Sequence, residues 1–149
     1  MVNYVERFIR RKRIVRIVIK LFVDGGTKGS VICLVDPQRK KKIVKTRKGK
    51  LTNNDLEYLA IIYGIEYARK YYPKEPVEIK SDSMLAVKQI NHQWNIKGDN
   101  LISLKKRVEG KRTKLISIHW IPREFNLAGI YLEGLGKSSS YHHHTLLGV

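Results

Sequence analysis

Residues 14 to 24, IVRIVIKLFVD, constrain the fold of this chain more than any other stretch. Arg16 and Lys20 are the only interruptions in the apolar run, and Gly25-Gly26 follows at once. A short apolar run rich in β-branched residues and closed by glycines reads as a buried strand. This strand ends on Asp24. A buried carboxylate is costly unless something compensates its charge, so the first strand poses a chemical question as well as a structural one.

The rest of the chain supplies a sheet and its covering helices. Ser30 to Val35 reads as a second strand, Asp36-Pro37 as a turn, and Ile43 to Thr46 as a third strand. Connections this short make the three an antiparallel meander. From Asp55 to Tyr72 the period changes: Leu56, Leu59, Ala60, Tyr63 and Tyr67 recur at helical spacing, as do Glu57, Ile61, Gly64 and Ala68. Thr52 with Asp55 forms a variant capping box, and Pro73 stops the helix. Val77 to Lys80 is a fourth strand running into Ser81-Asp82-Ser83, Met84 to Trp94 a second helix, and Leu101 to Val108 a third. Leu115 to Ile121 alternates as a fifth strand, and Phe125 to Leu135 forms a last helix. The fold class is therefore α/β, a five-stranded mixed sheet in the order βββαβααβα with helices packed on it. Residues 1–13 read as a basic arm, 14–136 as the domain and 137–149 as a disordered tail.

Charge narrows the partners. Thirty Lys and Arg face thirteen Asp and Glu, a formal net charge of +17. Such an excess selects polyanions, nucleic acid ahead of an anionic membrane surface. The stretches Arg7 to Arg16 and Arg39 to Lys50 would add salt-sensitive affinity that ignores sequence, or serve as solvated charge. Cys33 is the only cysteine, which rules out an internal disulfide or a cysteine-rich zinc site, and it fits a core position. No apolar stretch is long enough to span a membrane, and no signal-type segment follows the basic N-terminus. A cytoplasmic monomer is the expectation.

Three of the few acids occupy element ends. Asp24 closes the first strand, Asp82 closes the fourth just before a helix, and Glu57 lies in the first turn of its helix. Each has an ordinary alternative: a glycine turn, a helix cap, a favourable helix dipole. Together they suggest a site, because clustered carboxylates repel one another unless a divalent cation shares them. Hard oxygen donors without spaced histidines or thiols point to Mg²⁺ or Mn²⁺.

These residues resemble the ribonuclease H type 1 family. TNNDLE, Thr52 to Glu57, resembles that family's T-N-N-x-x-E; FVDGGTKG resembles its D-G motif, and SDS at 81 to 83 its D-S. VKQINHQWNIKGDNL resembles the form lacking the basic handle, and IHWIPREFN the fifth strand entering the last helix. The similarity runs from Arg16 to Leu135. It implies hydrolysis of the RNA strand of an RNA–DNA hybrid by two divalent ions about 3.5–4 Å apart. It also implies Asp24, Glu57 and Asp82 as metal ligands and catalytic residues. Gly25, Thr52, Asn53, Asn54, Ser83, Trp94 and Lys97 match positions that hold the hybrid. Amide side chains suit a minor groove, and an aromatic ring beside Lys suits sugar and phosphate.

The pattern breaks in the last helix. Where the family carries a fourth acid, in the A-D of a pattern like N-x-x-A-D, this chain reads Ala128-Gly129, with Asn126 one residue closer than the pattern has it. Glu133 follows on the same helical face, one turn or about 5.4 Å along. It is the candidate replacement ligand; the alternatives are a solvated Glu133 and a site with three carboxylates. The family's loop histidine is also missing, because IPRE runs directly into FNLAG; His119 reads as structural, and His142 to His144 carry no assigned function. Competing readings are a nucleic-acid-binding protein that has lost turnover, and a nuclease of the same fold acting on double-stranded RNA or DNA junctions.

Overall fold

The computed structural model describes residues 17–136. The basic arm, the start of the apolar run at Ile14 to Arg16, and the His-containing tail lie outside the described residues. Five strands form one sheet: β1 (Ile19–Gly26), β2 (Val31–Asp36), β3 (Lys41–Thr46), β4 (Val77–Ser81) and β5 (Ile116–Trp120). Four α-helices accompany them: α1 (Asn53–Tyr71), α2 (Met84–Ile90), α3 (Asp99–Lys111) and α4 (Leu127–Gly136), with a 3₁₀ turn at Arg123–Phe125. The element order matches the sequence reading.

The sheet order is β3-β2-β1-β4-β5. β1 pairs antiparallel with β2, which pairs antiparallel with β3, while β1/β4 and β4/β5 are parallel. The meander thus occupies one half, and the crossovers through α1, and through α2 with α3, build the other. β1 sits in the middle, and its alternating side chains feed both faces. Leu21 and Val23 join the larger core with α1, β4 and β5, whereas Phe22 packs with Val31, Cys33, Val44 and α4 on the other face.

Helix α1 is buried along much of its length. Its Thr52 cap closes a complete capping box with Asp55, hydroxyl to backbone and carboxylate to backbone. Gly64 lets it press onto the sheet: a Cβ there would lie 3.1 Å from Val23 Cγ1 and 3.3 Å from Ile79 Cδ1.

Four boundaries differ instructively. Ile17 and Val18 are exposed, so the described strand starts at Ile19, where its N–H bonds Pro76 O. Helix α2 stops at Ile90 rather than Trp94, because His92 takes a left-handed φ of 62° and Gln93 and Trp94 both fold back onto Lys88 O. The last helix is interrupted at Asn126, whose side chain is committed elsewhere. Helix α1 starts two residues earlier than the period suggested, which places Asp55 in its first turn and Glu57 beyond it.

Candidate active site

The parallel pairing of β1 with β4 explains how two acids meet. Phe22 lies opposite Lys80. Two residues further along each chain stand Asp24 and Asp82, at the same edge of the sheet. Glu57 reaches the same point from α1, and its approach depends on Gly25. A Cβ at Gly25 would collide with the Leu56 carbonyl carbon and oxygen, so only glycine lets the helix pass this close. The Gly25 N–H then donates to Glu57 Oε1 at 3.1 Å.

The result is a cluster in which one oxygen from each of Asp24, Glu57 and Asp82 lies within 4.8 Å of the others. Asp24 and Glu57 are both 5% exposed. Burial, and then the charge of Asp82, pushes the Asp24 carboxyl up to about 7; the guanidinium of Arg123 opposes that rise. Burial, and then the charges of Asp24 and Asp82, pushes Glu57 up to about 8. Mutual repulsion of this kind is what a shared divalent cation relieves. Three hard oxygen donors this close fit Mg²⁺ or Mn²⁺ in kind.

Asp82 is aimed by a residue that the sequence reading quoted only as part of a pattern. Asn126 is fully buried, and its Nδ2 donates to Asp82 Oδ2 at 2.9 Å and to Val23 O at 3.0 Å. Its Oδ1 accepts from Ala128 N and so starts α4. One amide therefore ties β1, Asp82 and α4 together. The cue in the sequence was its place in the N-x-x-A-D-like stretch; with the last helix read from Phe125, its capping of α4 was not visible.

Gly129 stands where the fourth acid was expected, and it faces the cluster. A Cβ built there would lie 3.3 Å from Asp24 Oδ2 and 3.5 Å from Asp82 Oδ2. The position is right and the side chain is absent. Glu133 lines the same cleft as Asp24 and Glu57 but stays half exposed, with Oε2 3.7 Å from Arg123 Nε. It is outside the three-carboxylate cluster found among the described residues. Arg123 lines this cleft too and was missed in the sequence, where nothing distinguishes it from the many other basic residues.

The remaining candidates divide by position. Asn53 lies on the cleft beside Asp24 and Glu57, and Thr52 and Asn54 are exposed next to it at the start of α1. Ser83 caps α2 through Ala86 N. Trp94 lies away from the cleft, in a second groove with His92, Ile102, Lys105 and Lys106, with Lys88 Nζ 5.9 Å from its ring centroid. Lys97 is exposed on the same connection. His119 is half-buried in β5, its Nε2 2.7 Å from Ser117 Oγ, as a structural histidine would be.

A meander joined to a parallel half-sheet, with acids gathered where β1 and β4 end, defines the ribonuclease H-like class of α/β proteins. The chain belongs to the family described as reverse transcriptase-like, whose model matches residues 23–132. The bifunctional protein Rv2228c of Mycobacterium tuberculosis is 28% identical over 113 residues, covering 69% of this chain and 31% of that protein. This chain thus spans about a third of the length of the curated relatives it matches. Among solved structures, RNase H1 of the halophilic archaeon Halobacterium salinarum matches with a TM-score of 0.60 and 25% identity, over 78% of this chain and 98% of that one. LC11-RNase H1, solved in complex with an RNA/DNA hybrid, matches in fold with a TM-score of 0.61 and 24% identity, over 73% and 88%.

Proposed function

We propose that this chain is a divalent-metal-dependent ribonuclease H, hydrolysing the RNA strand of RNA–DNA hybrids. The carrying observation is the convergence of Asp24, Glu57 and Asp82 within 4.8 Å. Asp24, Glu57 and Asp82 would hold the metal, two ions in the full reading; Glu133 would have to leave Arg123 to join them. Bound divalent ions supply Lewis acidity and offset the charge that builds on the phosphodiester during attack by water.

The residues around the cluster prepare that role. Gly25 fixes Glu57 and Asn126 fixes Asp82, so the donors are set before a ligand arrives. Asn53, with Thr52 and Asn54, stands at the rim where a 2′-hydroxyl would separate RNA from DNA. Trp94 and Lys97 lie on a neighbouring surface suited to the partner strand, aromatic for sugars and cationic for phosphates. Among the described residues no helix is long and apolar enough to cross a membrane, and the net charge of +17 supports a nucleic-acid partner.

The second reading, a binder without turnover, is favoured by Gly129 alone. One experiment separates the two: labelled hybrid, double-stranded RNA and duplex DNA incubated with Mg²⁺, Mn²⁺ or EDTA. Cleavage of the hybrid's RNA strand that needs the ion supports the nuclease. Binding in EDTA without cleavage in either metal supports the binder.

A further inference from the structure

Among the described residues α4 adds no carboxylate to the three-acid cluster, and a cation lines the cleft beside it. Gly129 presents no side chain to Asp24 and Asp82, although its Cα is placed to do so. Arg123 lines the same cleft, six residues earlier in the chain, on the 3₁₀ turn that precedes α4. The turn is held firmly: Phe125 N bonds Pro122 O, Asn126 N bonds Arg123 O, and Asn126 is clamped to Asp82 and to Val23 O. Glu133, one turn beyond Gly129, steers the guanidinium through its 3.7 Å ion pair. The Arg123 side chain is 67% exposed, so an incoming phosphodiester can reach it.

From this geometry we infer that Arg123 is a catalytic residue of the proposed hydrolysis: its guanidinium meets the scissile phosphodiester on the Gly129 side, supplying positive charge where the missing carboxylate would otherwise have helped hold a second ion. The inference rests on the nuclease reading above. Three clustered carboxylates, with Glu133 paired to Arg123 outside the cluster, hold less negative charge than a cluster of four would, which suits one firmly held ion. A guanidinium is planar, permanently charged and able to present two N–H groups to two phosphate oxygens. Arg123 gives up no proton in the reaction. Water attacks phosphorus and gives up one proton to solvent, the P–O3′ bond breaks, and the departing 3′ oxygen takes a proton from solvent. Arg123 offsets the charge that develops on the phosphoryl oxygens as this happens. Glu133 then acts as the holder of Arg123 and not as a metal ligand.

The test uses the full chain with two readouts, steady-state cleavage of labelled hybrid in Mn²⁺ and calorimetric binding of Mn²⁺ alone. Arg123→Gln is expected to lower kcat by about a hundredfold while shifting KM less than about threefold. Mn²⁺ binding should stay as tight or become tighter, because a nearby positive charge has gone. Arg123→Lys should recover part of the loss as a point charge. Gly129→Asp, adding a carboxylate beside Asp24, should tighten Mn²⁺ binding, and in the Arg123→Gln background it should restore turnover. Glu133→Gln should leave Mn²⁺ affinity unchanged. Wild-type kcat in Arg123→Gln overturns the inference, as does a loss confined to KM; weakened Mn²⁺ binding in Glu133→Gln overturns the role given to that residue. A wild-type chain that neither binds Mn²⁺ nor cleaves hybrid overturns the nuclease reading itself. Since Arg123 is exposed, circular dichroism of the Arg123 variants should match wild type.

Discussion

Asp24 and Asp36 are both buried carboxylates on neighbouring strands, and the protein treats them in opposite ways. Asp36, fully buried at the end of β2, is surrounded by donors. Tyr72 and Tyr67 hydroxyls donate to its Oδ2 at 2.7 and 2.8 Å, and the Gln38 and Arg39 N–H groups to its Oδ1 at 3.0 and 3.3 Å. Arg39 adds its own hydrogen bond to Tyr67 and stacks 4.0 Å from the centroid of Tyr71. This carboxylate is saturated, and its work is to fasten the β2–β3 turn to the end of α1. Asp24 faces two other acids, with a backbone N–H and an exposed arginine as its counterweights. A buried acid that the fold has satisfied is architecture; one that the fold has left short of positive charge is a place for a cation.

The sharpest way to break this contrast is to neutralise one acid at each place. Asp82→Asn should reduce hydrolysis of hybrid by at least about a thousandfold, because the shared ion loses a ligand. Hybrid binding in EDTA should remain close to wild type, since the rim residues and basic surface are untouched. Full activity in that variant, measured as initial rates in Mg²⁺ and Mn²⁺, would refute the metal role of the cluster.

Asp36→Asn should do the reverse. Urea unfolding is expected to show a loss of about 2–4 kcal/mol, as buried hydroxyl and amide donors lose a charged acceptor. Mn²⁺ affinity should not change. Tyr72→Phe removes one of those donors and should cost less, about 1.5–3 kcal/mol, with cleavage intact.

A smaller effect follows from pH. Asp24 and Glu57 are raised in the folded protein, to about 7 and about 8, above the ordinary carboxylate range. In that case the unfolded chain ionises first, so stability is highest at low pH and falls as pH rises through the window up to about 8. Thermal melts in EDTA should therefore drop by a few degrees, roughly 5 °C, between pH 5 and pH 8. Mn²⁺ should restore more at pH 8 than at pH 5, since it binds the ionised cluster. Melts that rise with pH in EDTA would mean that other groups dominate.

Much of this was legible in the chain because it depends on local chemistry. Asp-Gly-Gly after an apolar run, Thr-Asn-Asn-Asp before a helical period, and Ser-Asp-Ser after a strand each announce an element end with an acid near it. The parallel pairing that follows from the crossovers then brings Asp24 and Asp82 together. Contacts set by distant partners were hidden. Asp36-Pro37 reads as a turn, and nothing local shows two tyrosines from α1's far end closing on that carboxylate. Asn126 falls inside the last helix as read from Phe125, so neither its capping of α4 nor its clamp on Val23 and Asp82 is visible locally. His92 ends α2 early through a backbone angle that the helical period does not reveal. Glu133 was legible as a neighbour of the site; its commitment to Arg123 was not.

The central claim is that Asp24, Glu57 and Asp82 together bind a divalent cation. Anomalous diffraction from crystals soaked in Mn²⁺ tests it most directly. A peak bridging oxygens of these three side chains is the predicted result. No peak at the cluster under saturating Mn²⁺, or one seated elsewhere with the three carboxylates left apart from it, would contradict the account.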